Sequence, residues 1–212
     1  ATERKAYQDA IVTTAVGVAT RAPNPQAMAE ALGKGLSEGR IVVWSSDPKV
    51  EGKLVDAGVG GSLAVSDGHT VQFVVLNGSG SKLDAFLNRS LTYEVGRCPN
   101  TDNRVKSTVT VQLENAIPLG ELPPEYMRSS LGRDGTTNFV LAQFHLPNGA
   151  EVQDVLVDGE SVGSFQFEEG GRPSAVVGVR LPPREKVPVE LRFTEPASDG
   201  DAAVSARPLS SD

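Results

Sequence analysis

The stretch Asn77-Gly78-Ser79-Gly80-Ser81-Lys82-Leu83-Asp84-Ala85-Phe86-Leu87-Asn88-Arg89-Ser90-Leu91-Thr92-Tyr93-Glu94-Val95 decides how the chain is read. A Gly/Ser-rich turn runs into Lys82-Leu83-Asp84. From Leu87 onward, Leu87, Arg89, Leu91, Tyr93 and Val95 alternate with Asn88, Ser90, Thr92 and Glu94, the period of a strand with one buried face. Before this stretch apolar residues recur mostly at helical spacing, and after it at strand spacing. The expectation is an α+β protein in which the stretch is a hinge between a helix-bearing half and a strand-bearing half, with a polar cluster at its tip.

In the first half, Ile11, Ala15 and Ala19 share a helical face from about Tyr7 to Arg21, and Pro23 ends that helix. Asn24-Pro25 is a cap followed by a proline at the first helical position. Met28, Leu32 and Leu36 then recur every fourth residue until Gly39 provides the stop. The small residues Ala27, Ala31 and Gly35 suit a close packing contact. Arg40-Ile41-Val42-Val43-Trp44-Ser45 is short and β-branched, which predicts a buried strand. Asp47-Pro48 repeats the cap and proline, Val50, Leu54 and Val55 form the expected buried face, and Gly58 closes the helix. Val71 to Leu76 predicts one more strand, with Asp67-Gly68 as a turn before it.

Beyond the hinge, Val105, Ser107, Val109, Val111 and Leu113 alternate with polar residues, and further strands are predicted near 138–146, 152–157, 161–167, 175–181 and 187–193. The turn signals Asn148-Gly149, Asp158-Gly159, Gly170-Gly171 and Pro182-Pro183 separate them. Short strands at this spacing predict an immunoglobulin-like antiparallel β-sandwich, without the Cys…Trp…Cys core of antibody domains. The segment 115–137 is too long and too Pro-rich for an ordinary connection, and 197–212 has no periodic pattern and predicts a flexible tail. The expected domains are 1–87, helical and α/β; 88–196, the sandwich; and the tail.

Composition narrows the function. A net charge of −7 and the absence of any basic run argue against nucleic acid or an anionic membrane surface as the main partner, because phosphates are bound by clustered Lys and Arg. Cys98 is the single cysteine, so no intrachain disulfide forms, and His69 and His145 lie at no metal-ligand spacing. No metal site and no cofactor is expected. No run reaches the ~18 apolar residues of a membrane span. The chain opens at Ala1 without a methionine, which leaves room for a leader or anchor outside it.

Ile41-Val42-Val43-Trp44-Ser45-Ser46-Asp47-Pro48, Gly58-Val59-Gly60-Gly61, Ser81-Lys82-Leu83-Asp84-Ala85-Phe86-Leu87-Asn88-Arg89-Ser90, Tyr93-Glu94-Val95 and the late strand Val187-Pro188-Val189-Glu190-Leu191-Arg192-Phe193 together resemble the bacterial family designated domain of unknown function 4012. The resemblance spans most of the chain, with Ser81 standing where the family commonly has Asn. It implies an extracytoplasmic protein, tethered by an N-terminal membrane helix outside this chain, from actinobacteria and similar organisms and often encoded near polysaccharide-assembly enzymes. The family carries no established activity.

Two groups of residues are candidate ligand-binding sites. Ser81, Lys82, Asp84 and Arg89 surround a Gly/Ser turn that could aim backbone N–H groups at an anion. The plainer alternative is that Ser81 caps a helical turn, Lys82 and Asp84 pair with neighbours across the domain junction, and Arg89 lies along the strand. Trp44 and Asp47 lie where a strand hands over to a helix, a position where α/β folds expose ligand-binding groups. Here the alternative is a Trp44 packed in the core and an Asp47 that only caps. His69 reads as a turn residue, His145 as a strand residue, and no catalytic set stands out. The expected function is therefore a non-catalytic cell-envelope module that binds an envelope polysaccharide or protein. An enzyme acting on envelope glycopolymers through a cleft near Lys82, Asp84 and Arg89 is the competing expectation.

Overall fold

The structure is a computed structural model that describes residues 2–21, 24–38, 40–60, 68–97, 101–118, 126, 136–199 and 203–206. The chain divides into two compact units, Ala1–Ser62 and Leu63–Asp212.

In the first unit, α1 (Thr2–Thr20), α2 (Pro25–Ser37) and α3 (Pro48–Asp56) start where the cap signals place them. Asn24 Oδ1 accepts from Ala27 N at 3.1 Å, and Asp47 Oδ1 accepts from Lys49 N at 2.9 Å, each satisfying a helix N–H that has no partner inside the helix. After α3, Gly58 takes a left-handed φ of 73°, while Gly58 N reaches Val55 O and Val59 N reaches Leu54 O, the paired bonds of a glycine-terminated helix. The small face of α2 meets Ile41, whose Cδ1 comes within 2.7 Å of where a Cβ on Gly35 would stand. The run Arg40–Ser45 is not the buried strand its composition predicts. It makes one parallel bridge, Val43 to Gly60, and leaves Val42, Val43 and Trp44 exposed, because no neighbouring strand among the described residues of this unit takes up its backbone groups. Val50 is likewise exposed, and neither α2 nor α3 holds a fully buried residue.

The second unit is two five-stranded sheets. Its strands are β1 (Thr70–Asn77), β2 (Leu87–Val95), β3 (Arg104–Asn115), β4 (Asn138–His145), β5 (Glu151–Val157), β6 (Glu160–Ser161), β7 (Phe165–Glu169), β8 (Arg172–Leu181), β9 (Lys186–Pro196) and β10 (Ala203–Ala206). One sheet has the order β10-β1-β4-β8-β7 and the other β2-β3-β9-β5-β6. All pairs are antiparallel except β1 with β10. One core joins the inward faces of both sheets, with Val71 and Phe73 from β1, Val109, Val111 and Leu113 from β3, Phe144 from β4, Val177 and Val179 from β8, and Leu191 and Phe193 from β9. Mixed α+β architecture is thus observed.

The boundary expected at residue 87 is displaced. β1 pairs with β4 from Gln72↔His145 to Asn77↔Val140, so it is a central strand of the second unit, and the stretch 77–95 crosses from one sheet to the other inside that unit. The expected single strand over 161–167 is two pieces, β6 and β7, which belong to different sheets. The expected tail contains β10, held parallel to β1 in the register Thr70↔Ala203 to Phe73↔Ala206. Gly39, Asp67-Gly68 as a complete turn, Cys98 and most of 115–137 lie outside the described residues.

Candidate functional site

The hinge stretch folds on itself through side-chain-to-backbone bonds. Asn77 Oδ1 accepts from Ser79 N at 3.0 Å and Gly80 N at 2.7 Å, while Asn77 Nδ2 donates to Ser81 O. Gly80 supplies the left-handed φ of 68° that this turn needs. Ser79 and Ser81 are buried with their hydroxyls 2.7 Å apart, and Ser81 Oγ accepts from Leu83 N at 3.3 Å, at the start of a 3-10 turn over Leu83–Phe86. Asn138 on β4, fully buried, donates through Nδ2 to Asp84 Oδ1 at 2.8 Å. Ser81 and Asp84 therefore brace the crossover between sheets.

Lys82 points to solvent, with its Nζ 5.8 Å from the ring centroid of Tyr126, and Lys82 N donates to Tyr126 O at 3.2 Å. Lys82 and Asp84 form no ion pair with each other: the ammonium lies over a ring and the carboxylate takes an amide. Arg89 lies on the inward pleat of β2 with Leu87 and Leu91, half-buried. Among the described residues β2 ends its sheet, and an inward-pointing charge on an edge strand discourages a second chain from adding there. Beside this edge, Asn88, Ser90, Gln112, Glu114 and Lys186, together with Arg89, line a shallow groove of about 140 Å³. Glu114 already accepts from Asn88 at 3.4 Å and pairs with Lys186 at 3.6 Å.

Burial raises the pKa of Asp84, and its hydrogen bonds from Asn138 and Asn77 pull the other way. A raised folded-state pKa means that folding favours the protonated acid. Its contribution is complete below the ordinary value of 3.8 and is lost as pH rises through the raised value. Asp84→Asn keeps an oxygen for Asn138 without a buried charge, so at neutral pH it should melt at or above the parent, with the advantage gone below pH 3.8. Thermal melts of both proteins across acid and neutral pH check this, and a variant that melts lower at neutral pH refutes it.

In the first unit Asp47 is a cap, as described. Asp47 N donates to Ser45 Oγ at 3.2 Å and Ser45 N donates to Glu51 Oε2 at 2.7 Å, so polar groups on both sides of Trp44-Ser45 rigidify the approach to α3. Trp44 itself is 74% exposed, beside the exposed Val42 and Val43. The core position that is usual for a lone tryptophan is not the one it takes.

A second polar cluster, at one end of the sandwich, was not foreseen. Glu195, at the end of β9, has no exposure at all, and its Oε1 accepts from Tyr93 Oη at 2.7 Å and from Ser107 Oγ. Its Oε2 lies 2.9 Å from Nδ1 of the buried His69, without a hydrogen-bonding alignment, and Nε2 of that ring is 3.1 Å from Ser198 O. Burial, and then the Glu195 hydrogen bond and charge, push the Tyr93 phenol well above its ordinary value, so it stays a donor. On β8, buried Arg172 donates to Leu146 O at 2.8 Å and to Thr70 O, and burial lowers its pKa. Tyr93 on β2, Ser107 on β3 and Glu195 on β9 are thus joined within one sheet, and His69, just before β1 of the other sheet, lies against them, while Arg172 ties β8 to the neighbouring chain at Leu146 and Thr70. A cleft of about 120 Å³ beside them is walled by Gly68, Pro147, Asn148 and the 195–198 segment. The sequence does carry a signal: Val187, Val189, Leu191, Phe193 and Glu195 form one alternating series, which puts a carboxylate at a core position, where it must have partners.

Among the described residues no group of three or more His, Cys, Asp and Glu could hold a metal ion, and no helix is long and apolar enough to cross a membrane. No protein-family model matches the chain, and the curated proteins give no match. A crystal structure of a Legionella pneumophila protein, described only provisionally as nutrient binding, is similar at 11% identity with a TM-score of 0.34, over 58% of this chain and 43% of that one. The chain thus spans less than half the length of that protein.

Proposed function

We propose that the chain is the extracytoplasmic part of a cell-envelope protein of the domain of unknown function 4012 family, and that it binds an envelope polysaccharide without catalysis of its own. The observation that carries the binding role is the exposure of Trp44. A large aromatic ring left 74% in solvent, next to Val42 and Val43 and on a backbone rigidified by the Asp47 cap, is an expensive surface for a protein to keep unless something covers it. A flat indole stacks on the C–H face of a sugar ring, and the neighbouring Ser45, Ser46 and Asp47 offer groups that pair with hydroxyls. A protein partner would use the same surface as an anchor residue.

The sandwich suits this role as a rigid carrier. The order β1-β4-β8-β7 follows strands A-B-E-D of an immunoglobulin domain, and β6-β5-β9 follows C′-C-F, with the β2–β3 hairpin in the place of strand G. That correspondence supports an immunoglobulin-like ancestry with the last strand moved to β10. The enzyme alternative through Lys82, Asp84 and Arg89 has less support, because Asp84 is committed to Asn138 and Arg89 lies on an inward pleat.

Trp44 is the sole tryptophan, so its fluorescence reports directly on this surface. Adding purified envelope polysaccharide should shift its emission to the blue with saturation, and Trp44→Ala should weaken polymer retention by about tenfold or more, equivalent to at least ~1.4 kcal/mol. Unchanged emission together with equal retention by Trp44→Ala would remove this surface from the function.

A further inference from the structure

The short strand β7 carries features that the Trp44 surface does not explain. Among the described residues it ends its sheet, and it presents Phe165, 69% exposed, stacked on Phe167 at 5.6 Å between ring centroids. The direction of its backbone groups follows from its neighbour. Pro173 O on β8 accepts from Leu146 N, so Pro173 faces the β4 side, and Glu168, opposite it, makes no bonded pair with β8. Antiparallel pairs alternate, so Phe167 opposite Ser174 is bonded inward, and Gln166 and Glu168 direct their N–H and C=O groups to the open edge. That edge also carries the exposed Glu168, while Glu169, on the face of Phe165 and Phe167, reaches across the sheet to accept from Gln143 Nε2 at 2.8 Å and lies 3.8 Å from His145 Nδ1. The nearest cation on β8, Arg172, is buried and turned to Leu146 O and Thr70 O.

We infer that β7 is a docking edge for an extended basic peptide segment of a partner protein, which adds to the sheet as a further strand. Its backbone pairs with Gln166 and Glu168, its Lys or Arg side chains meet Glu168 on one face, and its apolar side chains lie against the Phe165–Phe167 pair on the other. The Glu168 carboxylate at this exposed edge favours a cationic strand and opposes the Glu168 of a second copy of β7. This site is separate from Trp44 and stands whichever ligand that residue takes.

The test uses the full chain and two fluorescein-labelled heptapeptides, Lys-Val-Lys-Val-Lys-Val-Lys and its Glu-for-Lys counterpart, in anisotropy titrations. The lysine peptide should bind saturably and the glutamate peptide at least about tenfold more weakly. Gln166→Pro removes a backbone donor from the open edge, leaves the bonds to β8 in place and leaves the charge unchanged, so a tenfold loss in that variant separates strand addition from general attraction to an acidic protein. Phe165→Ser, at an exposed position, should weaken binding while melting with the parent. Equal binding of both peptides, no binding of either, or full affinity in a Gln166→Pro protein that melts with the parent would overturn the inference. So would loss of polysaccharide retention, in place of peptide affinity, in Phe165→Ser.

Discussion

Glu195→Ala should lower the stability of the second unit by about 4 kcal/mol, the range for removing one partner of a buried charged group. For a unit of this size that is roughly an 8–16 °C fall in melting temperature. The size follows from what is left behind. Tyr93 and Ser107 lose the oxygen they share, and buried His69 loses the carboxylate 2.9 Å away. Each stranded group pays desolvation with no return. Glu195→Gln keeps an acceptor for the two hydroxyls and should lose less than half as much. Differential scanning calorimetry of the three proteins checks this. If Glu195→Ala melts with the parent, the cluster braces nothing.

The second large effect concerns β1. Phe73 is fully buried, packs on Phe144 with ring centroids 5.1 Å apart and belongs to the common core of both sheets. Phe73→Ala should cost the sandwich about 4 kcal/mol, because a phenyl-sized void in a closed core collapses only in part. The same substitution would leave the sandwich untouched if β1 belonged to the N-terminal unit, as its position in the sequence suggests. Denaturant unfolding followed by near-UV circular dichroism distinguishes these outcomes, the aromatic signal of Tyr93 stacked on Phe193 reporting on the sandwich.

These two residues also mark the limits of what the sequence makes legible. The caps at Asn24 and Asp47 were readable because a cap is decided within four residues. β2 and β3 were readable because one face of each is buried and period two follows directly. By contrast, an apolar run such as Arg40–Ser45 says only that it could join a sheet, and whether neighbouring strands exist is decided elsewhere in the chain. The membership of β1 and the pairing of β10 depend on partners more than 60 residues away, which pattern alone does not name. Among the candidate site residues, local chemistry read Asp47 as a cap correctly, but the N-cap of the turn after Ser81 is Lys82, with no side-chain bond, and the partner of Asp84 is Asn138, 54 positions on. Tyr93 and Glu195 are 102 positions apart. A buried network assembled at that range is visible beforehand only as a carboxylate at the wrong place in an apolar series.

The parallel pair β1–β10 bears on how the second unit responds to force. β1 is reached from the preceding chain at Thr70, and β10 leaves the sheet after Ala206, so a pull on the two flanking segments draws the strands in opposite directions along their own axes. The four registered residue pairs are then loaded together, in shear, and must fail as a group. Antiparallel neighbours pulled from a shared end would open one bond at a time. The second unit is thereby closed, at the pair nearest its two flanking segments, by strands that tension would load in shear.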